Sequence, residues 1–114
     1  MSVENFFWEI ESEPPAVTPD NLLPLLDWGR AALGSAVRDA LARGLAADRL
    51  AADIELVTDT NDPYGHHACG TDVHVHPRGE GRNEPGKVRV TVKLRTSADQ
   101  HETEINVPLA ELAA

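Results

Sequence analysis

The segment from 65 to 80, GHHACGTDVHVHPRGE, holds most of the residues in this chain whose side chains can do chemistry. It contains four of the five histidines, the only cysteine and two carboxylates, Asp72 and Glu80. Imidazole nitrogens, thiolates and carboxylates are the donors that zinc and related transition metals take, usually three or four to an ion. A transition-metal site is therefore one hypothesis for this segment.

His74 and His76 are the leading ligand candidates. They lie two residues apart in the alternating run DVHVH (72–76), which predicts a β-strand, so both imidazoles leave the same face while the valines turn to the core. Glu80 follows within reach as a third ligand. Further donors in the same segment are His66, His67 and Cys69.

The run HVHPRGE (74–80) resembles the first metal-binding motif of the cupins, an HxH pair followed by a glutamate. By position, the resemblance makes His74, His76 and Glu80 metal ligands. No second motif follows around His101, and a long helix does not fit a small barrel, so no family is assigned. Histidines on the solvent face of a strand are also common without a ligand, and a passive surface cluster is the alternative.

Nucleophilic catalysis is less favoured by these residues. Cys69 lies among aspartates, and negative charge disfavours the reactive thiolate. The chain has no glycine-rich phosphate loop and no CxxC pair. The residues favour a non-catalytic protein, with enzymatic activity left open.

Charge is distributed unevenly along the chain. The formal net charge is −9, from 10 basic and 19 acidic residues, and the segments 1–29, 53–72 and 96–114 contain no lysine or arginine. Such a surface repels phosphate backbones, so direct nucleic-acid binding is not expected. It suits the capture of a basic protein partner, or imitation of the charge of DNA.

The location of the protein follows from its first residues and its hydropathy. The start MSVENFFWEIESE is acidic, the reverse of a secretory signal, and no apolar run is long enough to cross a membrane. We therefore expect a cytoplasmic protein that is not inserted in a membrane.

A single domain spanning 1–114 is predicted, with one long helix in its first half. Pro24 is tolerated only in a first helical turn, so the helix begins near 21–24, after capping oxygens at Thr18–Asn21, and Gly44 ends it. Asp48 is expected to cap a short turn through Ala52. The apolar stripe of the helix comprises Leu22, Leu26, Leu33, Val37, Leu41 and Leu45, flanked by Ala36 and Ala40.

The remaining segments alternate apolar and polar residues, as strands covered on one face do. The predicted strands are 5–11, 53–58, 72–76, 87–95 and 102–109. A register that sets Arg95 opposite Glu102, Lys93 opposite Glu104, Thr91 opposite Asn106 and Val90 opposite Val107 satisfies both faces of the last two strands. The predicted fold is α+β in two layers, β-α-β-β-β-β, with the helix on one face of a largely antiparallel meander of about five strands.

Together these observations favour a small, acidic, cytoplasmic, non-catalytic module that binds a protein partner, as an adaptor, inhibitor or immunity-type protein. The first strand offers a free pairing edge, which predicts a homodimer. The alternative function is a metal-binding protein or small metalloenzyme that uses the histidine-rich segment 66–80 with a metal such as zinc.

Overall fold

The structure is a computed structural model that describes residues 6–9, 17–18, 20–58, 68–96 and 99–113, with side chains at 17–18, 20–57, 72–96 and 99–112. Two helices and five strands lie in these ranges. Their bounds are β1 Phe6–Glu9, α1 Leu23–Ala42, β2 Leu50–Thr58, β3 Ala68–Pro77, β4 Lys87–Arg95, β5 Gln100–Pro108 and α2 Leu109–Ala113. The predicted α+β class, with one long helix, is confirmed.

Helix α1 begins and ends where the sequence predicts. Pro24 lies in the first turn, where a missing N–H costs nothing. Leu22, whose side chain is buried, occupies the N-cap position without a side-chain cap, and Oδ1 of Asn21 is 3.4 Å from the Leu23 amide. At the other end Gly44 has φ of 100°, a left-handed conformation that favours glycine and stops the helix.

The buried stripe of α1 packs on the apolar face of the sheet. Leu22, Leu26, Leu33, Val37 and the flanking alanines are buried as predicted, whereas Leu41 and Leu45 are only partly buried. The sheet side chains in this core are Leu50, Ala52, Ile54, Leu56, Val73, Val75, Val88, Val90, Val92, Leu94 and Val107. Burying a side chain of this size contributes about 1.5–3 kcal/mol, so this layer supplies most of the stability of the fold.

The sheet is mixed, and its strand order is β1-β3-β2-β4-β5. The predicted meander is wrong in one respect: β4 pairs with β2 in parallel, whereas the other three pairs are antiparallel. Because β1 occupies the outer side of β3, β4 must pass to the far side of β2. The loop 78–86 makes that crossing at the start of β2, where the amides of Arg78 and Asn83 donate to the carbonyls of Arg49 (2.7 Å) and Asp48 (2.8 Å).

The predicted register of the last two strands is displaced by two residues. Lys93 lies opposite Glu102, Thr91 opposite Glu104 and Val90 opposite Ile105. A shift of two residues keeps each side chain on its face, so alternation alone does not distinguish the two registers.

Two further features differ from the sequence-based expectation. The turn after α1 is a 3₁₀ turn over Ala47–Arg49 without a side-chain cap, and Ala52 already lies in β2. The chain past β5 turns into α2, which packs against α1. Neither helix in the described residues is long and apolar enough to cross a membrane.

Candidate functional site

The face of the sheet turned away from the core, here called the polar face, carries the charged and uncharged polar side chains of four adjacent strands. Alternation along each strand places them there, because their neighbours in sequence fill the core. The polar face comprises Asp72, His74 and His76 on β3, Asp53 and Glu55 on β2, Lys87, Arg89, Thr91, Lys93 and Arg95 on β4, and Gln100, Glu102, Glu104 and Asn106 on β5.

The two carboxylates of β2 lie at the centre of this face. Asp53 Oδ2 is 3.2 Å from Nε2 of His76, and its Oδ1 is 3.9 Å from Nζ of Lys93. Glu55 Oε1 accepts a hydrogen bond from Nη2 of Arg95 at 3.4 Å. Only 24% of the Asp53 side chain and 20% of the Glu55 side chain are exposed, so their cationic neighbours cover them.

These contacts are diagonal across the strands. Glu55 lies directly opposite Lys93 on β4, yet its ion-pair partner is Arg95, one pair further along. On β5, Glu104 lies opposite Thr91, and its Oε1 is 3.1 Å from Nε of Arg89, an ion pair whose angle is not that of a hydrogen bond. Long side chains reach diagonal positions readily, so the strands form alternating acidic and basic columns.

The two histidines are on the polar face, as the sequence predicts. The Nε2 of His74 is 3.4 Å from Oδ1 of Asp72 on the same strand. The Nδ1 of His76 is 3.0 Å from the carbonyl oxygen of Pro77, an acceptor, so Nδ1 carries a hydrogen when this bond forms. The Nε2 atoms, which would coordinate a metal, therefore already face carboxylates.

The proposed third ligand, Glu80, is placed differently. It lies exposed in the loop after β3, within the crossing segment 78–86. Among the residues whose side chains are described, no three histidine, cysteine, aspartate or glutamate side chains converge as a metal ion requires. His66 and His67 lie outside the described residues, and the side chain of Cys69 lies outside the described side chains, so the hypothesis that they complete a site stays a prediction.

Asn83 is a buried polar residue that sequence reasoning missed. The residue is 8% exposed, and its Nδ2 donates to the carbonyl oxygens of Leu50 (2.8 Å) and Ala47 (3.3 Å). Its Oδ1 accepts from Nη1 of Arg78 at 3.0 Å. Asn83 therefore holds the crossing loop on the start of β2. Asn83 lies in the polar run GEGRNEPG, which predicts a turn. Turns of this composition are usually exposed, so the sequence gives no sign that Asn83 is buried.

A groove of about 500 Å³ lies between α1 and α2. Arg30 lines it and pairs with Asp27 (3.1 Å) and Glu111 (2.9 Å). Arg38 donates to the carbonyl oxygen of Leu112 at 3.3 Å. The charges of this groove are therefore used in attaching α2 to α1, and the polar face is the better candidate site.

Comparison with known proteins gives no relative: no protein-family model, no curated protein and no solved structure matches this chain. The function must therefore be argued from the geometry of the polar face.

Proposed function

We propose that this protein is a non-catalytic protein-binding module, an adaptor, inhibitor or immunity-type protein, that presents its acidic surface and its sheet to a protein partner. The observation that carries the proposal is the ion-paired polar face. Its acidic and basic columns neutralise one another within the sheet, so the charge pattern is held in place by the strands. A broad surface with a fixed charge pattern is suited to recognise another protein.

The geometry of the histidines supports binding over catalysis. Acid–base and nucleophilic catalysis needs a positioned group, and such groups commonly lie in a cleft that surrounds the substrate. The best-positioned acid–base pair of the described residues is His76 with Asp53, and 39% of the His76 side chain is exposed on the polar face. A histidine–aspartate pair on an open sheet face fits the positioning of surface side chains for recognition better than it fits catalysis.

The architecture that we propose for the module has two layers, with five strands in one layer and α1 in the other. In this arrangement one side of the sheet supplies the stability, and the other is left for recognition. The net charge of −9 favours a basic partner, because long-range attraction raises the rate of encounter with opposite charge.

A matched pair of variants tests this proposal. Thr91 lies between Asp53 and Glu104 on the polar face, and Thr91→Arg adds a long cationic side chain there without removing an ion-pair partner. Ala42→Arg makes the same addition at the exposed end of α1. Partners are cross-linked to the wild type and to each variant in the native host and identified by mass spectrometry. The affinity of each purified partner for the wild type and for each variant is then measured by calorimetry.

We expect to find a partner whose affinity for Ala42→Arg equals its affinity for the wild type. Its affinity for Thr91→Arg should be at least about tenfold lower. Equal binding of all partners by the two variants would show that the polar face is not the recognition surface.

A further inference from the structure

The outer edge of β5 is the longest strand edge that the described residues leave open. The strand has nine residues, and among the described strands it pairs with β4 alone. Beyond β5, every second residue therefore directs its amide and carbonyl away from the sheet. At the other edge, β1 is four residues long.

The two faces of β5 define what fits beside it. On the polar face it carries Gln100, Glu102, Glu104 and Asn106, and 57% of the Glu104 side chain is exposed. On the core face Ile105 and His101 are only partly buried and Thr103 is exposed. A strand added here would meet carboxylates on one face and incompletely covered apolar surface on the other.

The column pattern across the polar face assigns the charge of that added strand. The acidic column of β2 is followed by the basic column of β4 and then by the acidic column of β5. On its inner side Glu104 contacts Arg89, whereas the outer side offers its exposed carboxylate no basic neighbour in the described part of the chain. If the alternation continues, a strand added beyond β5 carries basic side chains on the polar face.

A second copy of β5 does not meet this requirement. An antiparallel pairing of two β5 strands centred on Thr103 sets Glu102 of each copy against Glu104 of the other. Like charges directly opposite one another destabilise strand pairs, so this register of self-pairing is disfavoured.

We propose that the outer edge of β5 binds an extended basic segment of a protein partner as an added strand. The segment carries lysine or arginine at alternate positions toward the polar face and β-branched apolar residues toward Ile105. Main-chain hydrogen bonds supply affinity, and the alternating side chains supply specificity. The inference rests on the proposed function and names the chemistry of the partner.

The chain itself contains a template for the probe. Strand β4, KVRVTVKLR, lies antiparallel to β5 with its basic residues beside the glutamates. A labelled peptide of this sequence is titrated with the full chain in fluorescence anisotropy. A second peptide has glutamate in place of every lysine and arginine. Two further peptides carry N-methyl groups on one or the other set of alternate amides.

We expect the basic peptide to bind and the acidic peptide to show no binding. One N-methyl set removes the hydrogen bonds toward β5 and abolishes binding, whereas the other set is tolerated. Glu102→Lys weakens binding of the basic peptide by at least about tenfold, and the same charge change at Glu80, in the exposed loop after β3, changes it less than about twofold. Circular dichroism tests whether Glu102→Lys folds as the wild type does. If it does not, Glu102→Gln replaces it in the comparison.

Equal affinity of the two N-methyl peptides, equal effects of the Glu102 and Glu80 variants, or no binding of the basic peptide would each overturn this inference. These results leave the Thr91→Arg comparison untouched. A partner lost by Thr91→Arg while the peptide fails shows that recognition uses the polar face and not the edge of β5.

Discussion

The carbonyl oxygen of Leu112 lies so close to Gly34 that a β-carbon on Gly34 would overlap it. Leu112 is buried, and through this contact the short helix α2 rests on the middle of α1. Glycine in a helix interior costs about 1 kcal/mol relative to alanine, so its presence here has a structural reason.

We therefore expect Gly34→Ala to destabilise the protein by about 1–3 kcal/mol, although alanine is the better helix former. The free energy of unfolding in urea measures this change. Gly79→Ala is the control, because a β-carbon at Gly79 meets no atom within 4 Å. A Gly34→Ala variant that is as stable as the wild type would show that α2 does not pack as described.

Asn83→Ala is expected to lower the free energy of unfolding by about 1–3 kcal/mol, because it leaves the buried carbonyl of Leu50 without its donor. Glu80→Ala, in the same loop but exposed, should stay within about 0.5 kcal/mol of the wild type. Urea unfolding of both variants measures the difference. Equal stability would mean that Asn83 does not hold the crossing loop.

The register of β4 and β5 can be tested with engineered disulfides in a Cys69→Ser background. Thr91 and Glu104 lie directly opposite each other, and such pairs have Cα atoms about 4.5–5.5 Å apart, within the range of a disulfide. Thr91→Cys with Glu104→Cys should therefore cross-link under mild oxidation, as measured by free-thiol titration.

Asn106 supplies the control for that experiment. It lies diagonally from Thr91 at a separation of about 7–8 Å, which a disulfide does not span without backbone movement. Thr91→Cys with Asn106→Cys should keep its thiols. If only this second pair cross-links, Thr91 lies opposite Asn106, as the register predicted from the sequence requires.

Self-association is expected at the β1 edge, which ends the sheet on the side opposite β5. We expect a dimer in size-exclusion chromatography with light scattering at micromolar concentration. Because Glu102 lies on β5, at the far end of the strand order from β1, Glu102→Lys should leave that dimer unchanged. If the wild type is a monomer, the dimer hypothesis is wrong. If Glu102→Lys changes the oligomeric state, the interface includes β5.

The metal hypothesis predicts a measurable stabilisation, since a tightly bound ion shifts the folding equilibrium by mass action. Because no three donor side chains converge among the described residues, we expect less than about a tenth of an equivalent of transition metal in protein purified without a histidine tag. Added zinc should leave the melting temperature unchanged. Stoichiometric metal, lost in His74→Ala and His76→Ala, would establish the alternative function.

Much of the candidate surface was predictable from the sequence. Alternation in 87–95 and 72–76 places Arg89, Lys93, His74 and His76 on one face, because successive side chains of a strand point to opposite sides. Asn83 was not predictable, because its burial depends on where the crossing loop passes over β2.

By itself the sequence determined the class of the fold, the ends of the long helix and the face on which each strand residue lies, since these follow from local periodicity and from Pro24 and Gly44. The tertiary structure alone decided that β4 pairs in parallel with β2, that β5 is displaced by two residues, and that Asp53 contacts His76 and Lys93. The physical reason is that a period of two is unchanged by a shift of two and says nothing about which strand is the neighbour. Order and register depend on contacts between distant segments.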